Sequence, residues 1–273
     1  MSNGPLRAGT IGLEMFTLAR ELNLAAARSL SLAMETNGRG FHGFIVELPG
    51  AYVRALMEEE AVSKAPEEAR SYLAWLGQES SQVSKARIVQ THRCKLMIED
   101  ADCEILLADD KSPMSMQEFQ HLVELAKYSG LTFTKLYESS ELKDWVDEAR
   151  IRETFYGQTK KTIRETFEHV KQTQYYYLSG TGSSVTEDKE ESFDRIRELS
   201  LNCITNLFRQ DGNSKIYATD NEDWTLKKVL RRFIWHDRIH GKAITRILEK
   251  QRRLGLIDSY ENPFLFKISS QVN

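Results

Sequence analysis

Apolar positions along the 273-residue chain change their period near residue 115. Before it, short apolar or alternating runs are broken by turn residues, the texture of strands. Residues 30–36 and 41–48 flank Asn37-Gly38-Arg39-Gly40, and two extended runs about an Asn-Gly connection predict a β-hairpin. Pro49-Gly50 turns the chain into a third strand over 51–56. Glu58-Glu59-Glu60 and Pro66-Glu67-Glu68 mark helix starts, because first-turn carboxylates suit the helix dipole. The amphipathic stretch 69–76, with Tyr72, Leu73, Trp75 and Leu76, would close over the sheet. A further strand-like region spans 85–107, through Arg87-Ile88-Val89 and Glu104-Ile105-Leu106-Leu107. An α+β N-terminal domain is therefore expected over 30–110, ending at the polar, proline-bearing residues 109–113.

After residue 115 the period is helical. Residues 116–137 carry Phe119, Leu122, Val123, Ala126, Phe133 and Leu136 on one side, with Gly130 as a local weak point, and 142–146 continue or cap that helix. A second helix is predicted over 160–178, closed by the Gly/Ser-rich loop 179–184. A third covers 188–208, with Phe193, Ile196, Leu199, Cys203, Ile204 and Leu207 inward. The fourth follows Trp224-Thr225. Four helices with mixed loops predict an all-α, up-down four-helix bundle over 111–273. Residues 1–29 form an N-terminal extension in which 11–22 have helical spacing.

Composition narrows the function. A hydrophobic content of 41% is ordinary for a soluble globular protein, and a net charge of -3 gives no general attraction to nucleic acid or an anionic membrane. No apolar run approaches the roughly 20 residues that span a bilayer, and the start of the chain lacks a signal peptide's pattern. Cys94, Cys103 and Cys203 form no CxxC pair and are odd in number, which suits a reducing compartment. A cytoplasmic protein is expected.

The candidate chemistry lies in the last helix. Leu226, Val229, Leu230, Phe233, His240, Ile244, Ile247 and Leu248 follow the helical apolar repeat, and His236 falls at the edge of that stripe. Histidines four apart lie one turn above each other on one face. Two imidazoles at core positions need partners, either hydrogen bonds or a shared metal ion. Of the six histidines, His42, His92 and His121 read as structural or solvated, whereas His169 lies one position from the stripe Ile163, Phe167, Val170. His169, His236 and His240 together would make an all-histidine facial metal site inside a bundle. The competing reading makes His169 a rim residue and leaves the pair satisfied by hydrogen bonds.

Two resemblances bear on this choice. Gly43-Phe44-Ile45-Val46-Glu47-Leu48-Pro49-Gly50, Glu58-Glu59-Glu60-Ala61 and Tyr72-Leu73-Ala74-Trp75-Leu76 together resemble the HicB-like fold, a three-stranded sheet and helix best known from antitoxins. Thr154-Phe155-Tyr156-Gly157, Thr166-Phe167-Glu168-His169-Val170, Tyr175-Tyr176-Tyr177-Leu178 and the final His-x3-His helix resemble the DinB/YfiT-like superfamily of metal-binding four-helix bundles. That resemblance implies His169, His236 and His240 as metal ligands. The family's final helix often has adjacent histidines followed by Arg-Gly-Gln; here Ile239-His240-Gly241-Lys242-Ala243 stands instead.

A divalent ion on three neutral imidazoles keeps its charge and lowers the pKa of a bound water or thiol. Imidazole ligands suit zinc, nickel or iron. The superfamily includes thiol S-transferases and thiol-dependent isomerases, which implies a low-molecular-weight thiol cosubstrate, a small-molecule substrate and a homodimer. A metal-dependent hydrolase is the next reading, although Asp237 stands where a His-Glu-x-x-His peptidase has its longer glutamate. The non-catalytic alternative is a metal-stabilised binding module whose HicB-like unit contacts a protein or RNA. An enzyme predicts an open ligand position beside an apolar pocket; a binding module predicts a closed site.

Overall fold

Asn37 Oδ1 accepts from the backbone N–H groups of Arg39 (2.9 Å) and Gly40 (3.2 Å), while Gly38 takes φ +85°. This turn joins β1 (Ser29–Thr36) to β2 (Phe41–Ile45) as an antiparallel hairpin, with Leu32 opposite Ile45 and Thr36 opposite Phe41. The structure, a computed structural model, describes residues 29–78, 85–100, 102–154, 157–159, 162–220 and 222–268. The helical spacing at 11–22 lies outside the described residues.

β3 (Tyr52–Ala55) pairs antiparallel with β2, and α1 (Glu58–Trp75) crosses back so that β4 (Lys85–Arg93) pairs parallel with β1. The sheet order is β3-β2-β1-β4. A parallel partner requires such a crossover. Two expectations change here. The acidic signals at 58–60 and 66–68 belong to one helix, with Pro66 inside it, where it removes the N–H that the Val62 carbonyl would accept. Residues 102–107 form no strand and lie outside the sheet, and side chains hold their backbone instead: Glu35 accepts from Glu104 and Ile105, and Asp110 from Leu107.

The C-terminal part is helical, with α2 (Met116–Glu138), α3 (Ile163–Ser179), α4 (Phe193–Asp211) and α5 (Leu226–Arg253). Ser115 with Glu118 and Thr162 with Glu165 form capping boxes, and Ser192 and Thr225 cap the other two N-termini. These caps start the second and third helices at 163 and 193, three and five residues later than the apolar pattern predicts. Residues 142–146 lie beyond the end of α2. α5 packs against α2 and α3, and α4 packs against the same two helices. Among the described residues no helix is long and apolar enough to cross a membrane.

One face of the sheet contributes Leu30, Leu32 and Met34 to a core shared with α1 and the helices. On the other, Ala33, Phe44 and Tyr52 pack with Cys103, Ile105 and Leu107 against Trp235 and Ile239 of α5. α5 therefore lies between the sheet and the other helices. Its cations are buried with partners: Arg231 reaches Asp110 (2.6 Å), Arg238 reaches Glu68 (2.7 Å) and Lys228 reaches Glu222 (2.8 Å).

Candidate metal centre

His236 and His240 stand one turn apart on α5, with ring centroids 4.4 Å apart. His169, carried by α3, lies 4.8 Å from His240 and 5.1 Å from His236 by the same measure. The flanking residues Phe167 and Val170 are buried, and they fix the face of α3 that brings His169 to α5. The three rings meet edge to face, at interplanar angles of 65–78°. One ring nitrogen from each lies within 4.8 Å of the others. Nitrogens sharing one tetrahedral zinc stand about 3.3 Å apart, so small side-chain rotations suffice.

His236 is 6% exposed, whereas His169 and His240 are half-buried. Burial, the two neighbouring histidines, Arg232 and Arg197 hold the His236 pKa well below its ordinary value. The ring is neutral at physiological pH, the form that ligates a metal. Three converging imidazoles, in their unprotonated form, fit a first-row transition ion.

The histidines line a cleft of about 1440 Å³ between the sheet and the helices. Tyr176, Tyr177, Trp235, Ile239 and Cys103 line it too, and Tyr177 meets His236 edge-on at 5.3 Å. Arg232, one turn before His236, lies over Trp235 (4.8 Å) and Tyr177 (5.1 Å). Tyr175 instead turns its hydroxyl to the backbone of Asp188.

Neither neighbouring carboxylate faces the histidines. Asp237 is fully buried and accepts two hydrogen bonds from Arg197, at 2.9 and 3.0 Å, and it does not line the cleft. Glu168 pairs with Lys171 at 2.9 Å. The α5 helix thus presents two histidines to the cleft and a carboxylate to the core.

Sequence reading missed two features. His42 is fully buried and accepts a hydrogen bond from the Trp235 indole N–H (3.1 Å), which joins the sheet to the residue beside His236. Glu35, His92 and Glu104 form a second group whose potential ligand atoms lie within 4.8 Å of one another. Only the parallel β1–β4 register brings Glu35 opposite His92, so no local motif signals that group. Comparison with family models, with curated proteins and with solved structures gave no match.

Proposed function

We propose that this chain is a divalent-metal-binding, DinB-like protein of the cytoplasm, in which α2 to α5 form a four-helix bundle fused to a HicB-like unit. His169, His236 and His240 hold the ion, zinc, nickel or iron, and the cleft beside them works on a small-molecule substrate. The observation that carries this reading is the convergence of three imidazoles from two helices at the wall of a large cleft. A bound divalent ion would supply a Lewis acid that makes a thiol or water nucleophilic near neutral pH.

The chain's own residues favour thiol S-transfer over peptidase-type hydrolysis. Asp237, the only carboxylate between residues 226 and 248, is held by Arg197 and cannot take a proton from a water beside His236. A thiol needs less help, since its pKa lies several units below that of water. Tyr177 and Trp235 offer aromatic surface to an apolar substrate, and Arg232 adds positive charge that favours a thiolate. In transfer, the thiol sulfur forms the new bond to an electrophilic carbon as that carbon's bond to its leaving group breaks, the leaving group departs with the electron pair, and the thiol proton passes to solvent. The placement of His169 and His240 on the cleft favours this enzymatic reading over a closed, non-catalytic metal site.

Elemental analysis tests the site. Protein purified without a histidine tag should carry a first-row metal equivalent that is missing from the His169→Ala, His236→Ala, His240→Ala triple variant. Equal metal content in the two proteins after reconstitution overturns the ligand set. Loss in the variant justifies screening thiol transfer against small electrophiles.

A further inference from the structure

Glu35 has no exposed surface, yet only one of its carboxylate oxygens is satisfied. Oε1 accepts from the backbone N–H groups of Glu104 (2.9 Å) and Ile105 (3.0 Å). Oε2 is buried without a hydrogen-bond partner among the described residues. The Cys103 thiol lies beside this carboxylate, but a thiol is a weak donor. Across the β1–β4 pair, His92 stands opposite Glu35, and its Nε2 is 3.0 Å from Glu104 Oε1. Two carboxylates thus converge on one imidazole, and one of the two is wholly desolvated. Such a pair is unfavourable unless a proton or a cation sits between them.

We propose that Glu35, His92 and Glu104 bind a second divalent cation, of the zinc or manganese class, at the edge of the sheet. Carboxylate and imidazole donors suit those ions. His92 and Glu104 are both partly exposed, so the ion enters from solvent and keeps positions for water. The half-satisfied Glu35 is the inner ligand, oriented by its two backbone hydrogen bonds.

The position gives the ion a structural role. Residues 102–107 lack a strand ladder, and Asp102 and Cys103 from this segment line the cleft. A cation shared by β1, β4 and Glu104 would fasten the segment to the sheet and thereby stiffen the cleft wall.

Counting bound ions in chelator-stripped, tag-free full-length protein tests the proposal, with zinc added in excess and free ion removed by gel filtration. The wild type should retain two equivalents, and His92→Ala and Glu104→Gln should each lose one. The variant lacking His169, His236 and His240 should keep one. Both substituted side chains are partly exposed, so folding survives, which circular dichroism verifies. Full retention in His92→Ala and Glu104→Gln overturns the proposal, as does complete loss in the triple-histidine variant. A wild type with one equivalent, lost in His92→Ala and kept in the triple variant, supports this site and overturns the three-histidine reading.

Discussion

The Trp235 indole N–H donates to His42 Nε2, and only an unprotonated ring nitrogen can accept that bond. Burial, reinforced by Arg54, Arg232 and Arg231, holds the His42 pKa well below 6.5. The unfolded chain therefore takes up a proton below about pH 6.5 that the folded protein refuses, so stability falls as pH drops through that range. One such group contributes a slope of about 1.4 kcal/mol per pH unit. In His42→Gln the amide oxygen can still accept from Trp235 but does not titrate. Urea unfolding between pH 6.5 and 5 should show its slope reduced by about that amount; an unchanged slope would mean that His42 titrates normally in the fold. Asp237 makes the complementary case. Its carboxylate and Arg197 are both buried, and Arg197 also binds the Ala126 carbonyl (2.6 Å) and Gln174 (2.6 Å). Gly130, a weak point by propensity alone, makes room for this guanidinium, since a Cβ there would meet Arg197 Nη1 at 3.2 Å. Asp237→Ala should cost about 3–5 kcal/mol by stranding the arginine, with no change in metal equivalents per folded chain. Normal stability with lost metal would instead place Asp237 in the metal site.

At the scale of elements, the α5 pattern carries both the success and the limit of sequence reading. Its apolar repeat and His-x3-His spacing were enough to select the helix and its histidines, and His169 was reachable from its place beside the α3 stripe. The hairpin and the long helices were equally local and equally legible, whereas the caps Thr162 and Ser192, which set where two of those helices begin, were not read. What the pattern hides is that α5 is buried nearly all round. Lys228, Arg231, Arg232 and Arg238 carry no local sign of burial, yet each is buried, Arg232 and Arg238 over aromatic rings, a tertiary fact without local signature. The parallel return of β4 is hidden for the same reason, and with it the Glu35, His92 and Glu104 group. Sheet part and helix approach each other closely at Gly50. It has φ +86°, and a Cβ there would lie 2.5 Å from Ile234 Cγ2 and 2.8 Å from the Trp235 backbone nitrogen. Gly50→Ala combines a left-handed backbone cost of about 1–2 kcal/mol with overpacking of about 1–3 kcal/mol. A loss of roughly 2–5 kcal/mol is expected in chemical denaturation. A loss below about 1 kcal/mol would mean that the Pro49-Gly50 turn does not press on α5.

For the whole molecule, the decisive contact is where the sheet part, α5 and the C-terminal segment meet around Arg238. Its guanidinium donates to Glu68 of α1 at 2.7 Å and lies over Tyr72 (4.6 Å), Trp75 (5.0 Å) and Phe266 (5.1 Å). Two regions that sequence texture separates near residue 110 thus bury a charge between them, and neither keeps it satisfied without the other. Such an arrangement links their stabilities, because separating the halves would leave Arg238 and Glu68 without each other and bare the aromatic rings around them. Tryptophan fluorescence reports the junction through Trp75 and Trp235, while far-UV circular dichroism reports mainly the helices. In urea the two signals should trace one coincident transition. Glu68→Ala should move both together to lower urea, by the equivalent of about 3–5 kcal/mol. Independent domains would behave differently: of the four tryptophans only Trp75 belongs to the sheet part, so its share of the fluorescence would shift alone and split that signal, while the mainly helical far-UV signal would stay. Since the cleft has one wall from each half, a single transition would also mean that the three-histidine site is lost only when the whole protein unfolds.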